Sequence, residues 1–185
     1  MPDWLRPGPV WLFATLLALV ASIPLAWADT AVETDNFSLR YDETVWTREP
    51  SAPPNLVSLH CGPPSCPTML VVTFLRDERP LPQPGFAPFG PGAVSGAAID
   101  LRLQSLTPGS RLRPRRPAEP VSYGGMTGYR GLYDVEDRAL AKTAAAIALL
   151  RLPDASLEIR LKADRLTPAD LILFDRLLEG LAGKP

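Results

Sequence analysis

The side chains best suited to chemistry in this chain are crowded into one short stretch. His60, Cys61, Cys66 and Met69 bring an imidazole, two thiols and a thioether close together in sequence. Soft donors of this kind suit copper(I), and paired thiols also support disulfide exchange. Spacing weighs against both uses. His60 and Cys61 are adjacent in an expected strand, where successive side chains face opposite sides. Gly62-Pro63-Pro64-Ser65 separates the cysteines, a wider gap than the two residues of thioredoxin-type motifs. The reading that fits better is a structural disulfide between Cys61 and Cys66, closing a tight hairpin in an oxidising compartment. A copper- or thiol-handling site at His60, Cys61, Cys66 and Met69 is the sharper alternative.

Little else assembles into a reaction centre. The sequence contains one histidine, so a serine or cysteine triad would have to use His60, whose neighbour Cys61 points the other way. There is no G-x-S-x-G elbow, and no glycine-rich turn of the phosphate-cradling kind follows a strand. Asp134, Glu136 and Asp137 form a small acidic cluster that reads as a solvated strand end rather than a general acid and base. Asn36-Phe37-Ser38 fits a glycosylation acceptor, usable only in a host with that machinery. Nucleophile, base and oxyanion site do not coincide, so the sequence reads as non-catalytic, with no cofactor.

The elements that would position these residues follow a leader. Arg6 and the terminal amine outweigh Asp3. An apolar stretch then runs from Val10 to Ala21, Ser22 and Pro24 break it, and Ala26-Trp27-Ala28 puts small residues at both recognition positions before Asp29. This three-part pattern is that of a secretory signal peptide over residues 1–28, with an apolar core shorter than a bilayer requires. The alternative is an uncleaved anchor, since residues 10–28 carry no charge; membrane attachment is expected only in that case. Cleavage predicts a periplasmic or secreted protein with a short tail at 29–34 and one domain over 35–182.

With 185 residues the chain has room for one ordinary domain. Lys and Arg total 19 against 20 Asp and Glu, which excludes the basic footprint of a nucleic-acid binder. Its 22 prolines rule out an all-helical bundle, because an interior proline breaks the helix and removes a donor. Residues 37–42 alternate Phe37, Leu39 and Tyr41 with polar residues, as a half-buried strand does, and Trp46 is placed to plug the sheet end. Residues 55–60 and 68–77 are expected to form the disulfide-tipped hairpin, the second strand being apolar enough to lie centrally, covered on both faces.

Residues 80–96 are rich in proline and glycine and read as a long loop, whose Phe86 and Phe89 either bind a partner or fold back. Residues 97–106 favour helix. Arg111, Arg113, Arg115 and Arg116, interrupted by Pro114 and Pro117, read as a solvated basic loop, or else as a surface for an acidic partner or anionic head groups. A hairpin is expected at Gly124-Gly125, with Tyr129, Tyr133 and Val135 on one face. Residues 143–152 have the alanine content of a helix, yet their two apolar faces and the clean alternation in 157–162 favour a strand pair. Thr167, Pro168 and Asp170 start a C-terminal helix with Leu171, Phe174, Leu178 and Leu181 as its stripe and Gly183 as its end.

Two stretches carry a resemblance. Phe37-Ser38-Leu39-Arg40-Tyr41-Asp42 followed by Trp46 is similar to the opening of PsbP-like domains. Tyr123-Gly124-Gly125-Met126-Thr127-Gly128-Tyr129, with the late hairpin and closing helix, resembles their second half. The proline usual in the opening turn is replaced here by Asp42 or Glu43. The resemblance implies an α+β fold, an antiparallel β-sheet sandwiched between helices, and a non-catalytic role in binding or assembling a partner protein complex outside the cytoplasm. A further alternative is a small-molecule carrier, with Tyr129 and Tyr133 lining a pocket under the Phe86–Phe89 loop.

Overall fold

The computed structural model describes residues 29–50, 53, 56–81, 96–107, 109–139 and 141–184. The leader (1–28), Phe86, Phe89 and most of the 80–96 loop lie outside the described residues.

In chain order the elements are β1 (Asp29–Glu33), β2 (Phe37–Asp42), β3 (Thr47–Arg48), β4 (Leu56–Cys61), β5 (Leu70–Asp77), α1 (Gly96–Ser105), β6 (Arg111–Tyr123), β7 (Met126–Glu136), β8 (Lys142–Arg151), β9 (Ser156–Ala163), α2 (Pro168–Glu179) and β10 (Leu181–Gly183). The strands form a seven-stranded sheet in the order β3-β4-β5-β9-β8-β7-β6 and a three-stranded one in the order β1-β2-β10. Every pairing between them is antiparallel. The large sheet is packed on both faces, the α-β-α arrangement of the expected α+β fold.

Residue 29 onward is a correction. The expected tail is strand β1, in register with β2 from Asp29 opposite Asp42 to Glu33 opposite Ser38. Five residues are too few for alternation to announce a strand, but Val32 is driven into the core beside Leu39.

One core lies between the large sheet and a layer made of α2 and the small sheet. Phe174, Leu177 and Leu178 of α2 meet Leu157, Ile159 and Leu161 of β9 there, while Phe37 stacks on Phe74 with ring centroids 5.9 Å apart. Trp46 is buried in this core, as its position predicts. The second core lies under α1, where Ile99 and Leu103 pack with Tyr133, Ile147 and Leu149.

Strand β8 contributes to both cores: Ala146, Ala148 and Leu150 to the first, Ala145, Ile147 and Leu149 to the second. Burial on both faces explains its lack of polar alternation and settles the choice between helix and strand. β5 differs from expectation. Leu70, Val72 and Phe74 are buried, but Val71, Thr73 and Leu75 are only half-buried on the opposite face, because α1 packs over the β6–β8 end of the sheet instead.

The C-terminal helix begins as its cap predicts. The Asp170 amide donates to Thr167 Oγ1, and the Asp170 carboxylate accepts from the Thr167 amide at 2.7 Å, a reciprocal box that satisfies helix-start donors. Its end is earlier than expected, at Glu179 rather than Gly183. Leu181 to Gly183 are drawn instead into pairing with Leu39, Ser38 and Phe37 of β2. Leu181 is therefore buried from a strand, Leu177 takes a place on the helix's buried stripe, and Leu171 is only partly covered.

Candidate functional site

The disulfide forms, joining Cys61 and Cys66 across Cα atoms 5.8 Å apart. The loop is also held by the Cys66 amide donating to Gly62 O and by Ser65 Oγ donating to Thr44 O at 2.9 Å. Both sulfur-bearing residues are buried in the core that holds Trp46. The soft-donor set does not come together. His60 lies on the opposite face of β4, opposite Thr47 and Val71 in the ladders, and Met69 projects outward with 57% exposure. In the disulfide the two sulfurs are bonded to each other and offer no thiolate to a copper ion. No group of three or more His, Cys, Asp or Glu among the described residues is placed to hold a metal ion.

The arginine run is a correction of a different kind. Arg111, Arg113, Arg115 and Arg116 belong to β6, the edge strand of the large sheet, not to a loop. An edge tolerates Pro114, Pro117 and Pro120, since an outward-facing position has no ladder bond to lose. Register shifts between Pro114 and Arg116, and again between Arg116 and Glu119, accommodate the remaining mismatch. Two of the arginines are matched to the acidic cluster, Arg115 to Asp134 at 2.5 Å and Arg113 to Glu136 at 3.4 Å. Asp137 turns the chain by accepting from the Ala139 and Ala141 amides.

Between this edge and the first half of α2 lies a groove of about 350 Å³. Val121, Leu132, Leu171 and Ile172 give it an apolar lining, with Arg116 and Glu119 at its rim. Ile172 is 55% exposed. Arg130 closes one side. Its guanidinium pairs with Asp175, donates to Tyr123 Oη at 3.1 Å and lies over the Phe174 ring, 5.3 Å from the centroid. That stack joins the groove to the core and fixes the position of α2 relative to β7. The groove holds apolar side chains and flanking charges, Arg116, Glu119 and Asp175 among them. It suits recognition of a side chain or two on another molecule.

Sequence reasoning singled out Arg116 here and missed Val121, Arg130, Leu132, Ile172 and Asp175. The available signal was the run Leu171-Ile172-Leu173: three consecutive apolar residues on a helix cannot all face one core, so at least one must point outward.

Of the two tyrosines, Tyr133 belongs to the core and Tyr129 is half-buried against it, while the Phe86–Phe89 loop expected above them lies outside the described residues. Tyr133 is 1% exposed, and its ring occupies the space that a side chain at Gly131 would need. Its hydroxyl donates to Asp100 Oδ1 of α1 at 2.6 Å. Burial, reinforced by that carboxylate, holds the phenol well above its usual range, so it stays protonated. Nearby, Arg102 of α1 donates to Asp77, Ser156 and the carbonyls of Arg79 and Pro80. Arg160 donates to Glu158 and Thr107. These groups pin α1 to the sheet.

No family model matches the chain, and no curated protein does either. Solved structures do match. PsbP from the cyanobacterium Synechocystis is 13% identical, with a TM-score of 0.50 over 88% of this chain and 96% of that one. A Pseudomonas aeruginosa protein of unknown function is 18% identical, with a TM-score of 0.47 over 85% and 98% of the two chains. LpqN of Mycobacterium tuberculosis, involved in cell envelope biogenesis, is 15% identical, with a TM-score of 0.41 over 85% and 91%. The similarity to PsbP is one of fold, and it agrees with the sheet between helices described above.

Proposed function

We propose that this chain is a non-catalytic accessory protein of the cell envelope, exported through the leader at 1–28, that binds a protein partner along the rim of β6, β7 and α2. The observation that carries the reading is the apolar strip of Val121, Leu132, Leu171 and Ile172, left open within a rim that is otherwise charged. The prolines and register shifts of β6 discourage indiscriminate strand pairing at the same edge, as natural edge strands commonly require. Arg116 has no ion pair among the described residues and adds polar recognition beside the strip.

A photo-crosslinking residue at position 172, in protein exported by its own cells, tests this directly. A discrete adduct is expected there, and none with the same group at exposed Lys162 on the opposite face of the sheet. Identical adduct patterns at the two positions, or none at 172, would remove the rim as the partner surface. N-terminal sequencing of the exported protein is expected to begin at Asp29.

A further inference from the structure

We propose that the cleft between the last turns of α2 and the turn after β2 binds a small zwitterion with an apolar body, of the class of a free amino acid with a large side chain. The cleft has a volume of about 330 Å³ and shares no lining residue with the groove beside β6. Tyr41, Trp46 and Leu177 form its buried wall, at 7%, 4% and 3% exposure. Two aromatic rings and a leucine offer an apolar body a surface that excludes water. The charges around the mouth come from exposed residues on both sides, Arg40 from β2 and Arg176 and Glu179 from α2. None of the three has an ion pair among the described residues. Asp42 also lines the cleft, but its Oδ1 accepts from the Thr44 amide at 2.9 Å and the Thr44 hydroxyl at 2.6 Å.

That leaves two guanidiniums and one carboxylate to meet a ligand. A plain anion would satisfy the arginines but sit against Glu179, and a plain cation would face both guanidiniums. A molecule with both charges satisfies all three, its carboxylate between Arg40 and Arg176 and its ammonium toward Glu179. Glu179 is the last residue of α2, where the carbonyl end of the helix disfavours a carboxylate and favours a cation. A bound ammonium offsets that conflict. The walls are set before any ligand arrives, which lowers the cost of binding. The Trp46 amide donates to Asp42 O at 2.9 Å, and Ser65 of the disulfide loop holds Thr44 O, so the turn is fixed. The Arg40 amide donates to Gly180 O at 2.9 Å. A Cβ at Gly180 would fall 2.1 Å from Arg40 O, so only glycine lets the helix end come this close to β2.

Calorimetric titration of the purified protein with L-phenylalanine, hydrocinnamate and phenethylamine tests this. The three share a phenyl body, but hydrocinnamate lacks the ammonium and phenethylamine the carboxylate. L-Phenylalanine is expected to bind about tenfold or more tighter than either, the loss that one charged contact commonly causes. L-Alanine, with the same charges on a small body, should bind more weakly for want of contact with Trp46. Arg176→Gln should weaken L-phenylalanine by about tenfold, and Glu179→Gln should erase its advantage over hydrocinnamate. Both positions are exposed, and an unchanged melting temperature shows that the variants are folded. Equal affinities for L-phenylalanine and hydrocinnamate would overturn the zwitterion. Unaltered binding in both variants would overturn the site. No binding by any of the four compounds would overturn the proposal outright, while leaving the partner surface beside β6 standing.

Discussion

The β8–β9 hairpin and the β6 edge belong to the same sheet but answer to opposite constraints. β8 is covered on both faces, so every residue from Ala144 to Leu150 is buried, and the strand has no polar alternation left. β6 has a neighbour on one side only. Nine of its thirteen residues are exposed, and it carries prolines, arginines and two register shifts without leaving the sheet. Position in the sheet, rather than intrinsic preference, decides what a strand is permitted to contain. The centre uses its residues to exclude water. The edge leaves most of its side chains in solvent, and the groove beside α2 lies there.

The comparison breaks if central and edge positions respond alike to mutation. Ile147→Ala should cost about 2–5 kcal/mol of unfolding free energy, since a buried side chain leaves a cavity that the packed sheet cannot collapse. Pro117→Ala on β6 should change stability by less than about 1 kcal/mol. Urea titration of both variants, with matched slopes, checks the pair; equal costs would refute the distinction.

The hairpin tip gives the next largest effect. Replacing both Cys61 and Cys66 with alanine should cost about 2 kcal/mol by the loop-closure relation, read as a lower urea midpoint. The variant should also lose the wild type's sensitivity to reductant. Thr167→Ala removes one half of the capping box and should cost about 1 kcal/mol, while leaving the crosslinking at position 172 unchanged.

The smallest effect is a pH dependence. Burial pushes the Asp77 carboxyl upward, but hydrogen bonds from the Arg79 side chain and amide and from Arg102 outweigh it and hold it below the ordinary carboxylate value. A group depressed in the folded state contributes stability above its unfolded value of about 3.9, and that contribution fades as pH falls through the folded value. Asp77→Asn should flatten the loss of stability below about pH 4. An acid-unfolding curve parallel to the wild type's would show that Asp77 takes no part.

How far the fold could be read depended on how local each signal was. The cap at Thr167, the glycine turn at Gly124-Gly125, with φ of 54° and 80°, and the alternation in β2 and β9 are short-range patterns, and each produced the element it implies. The cysteine pair was legible for the same reason, because five positions separate the two residues. The groove was not. Val121, Leu132 and Ile172 come from three elements, and nothing in any one segment reports that the others arrive beside it.

What the amino-acid order determined alone was therefore the set of locally encoded pieces: turns, caps, strand periods and the disulfide loop, each written in residues only a few positions apart. Tertiary structure decided the rest. It made strand β1 out of an expected tail and a sheet edge out of an expected loop, and it ended α2 early so that Leu181 to Gly183 could pair with β2. Those outcomes depend on hydrogen-bonding and burial partners far away in sequence, and a segment's own composition carries no record of which partner will be free to accept it.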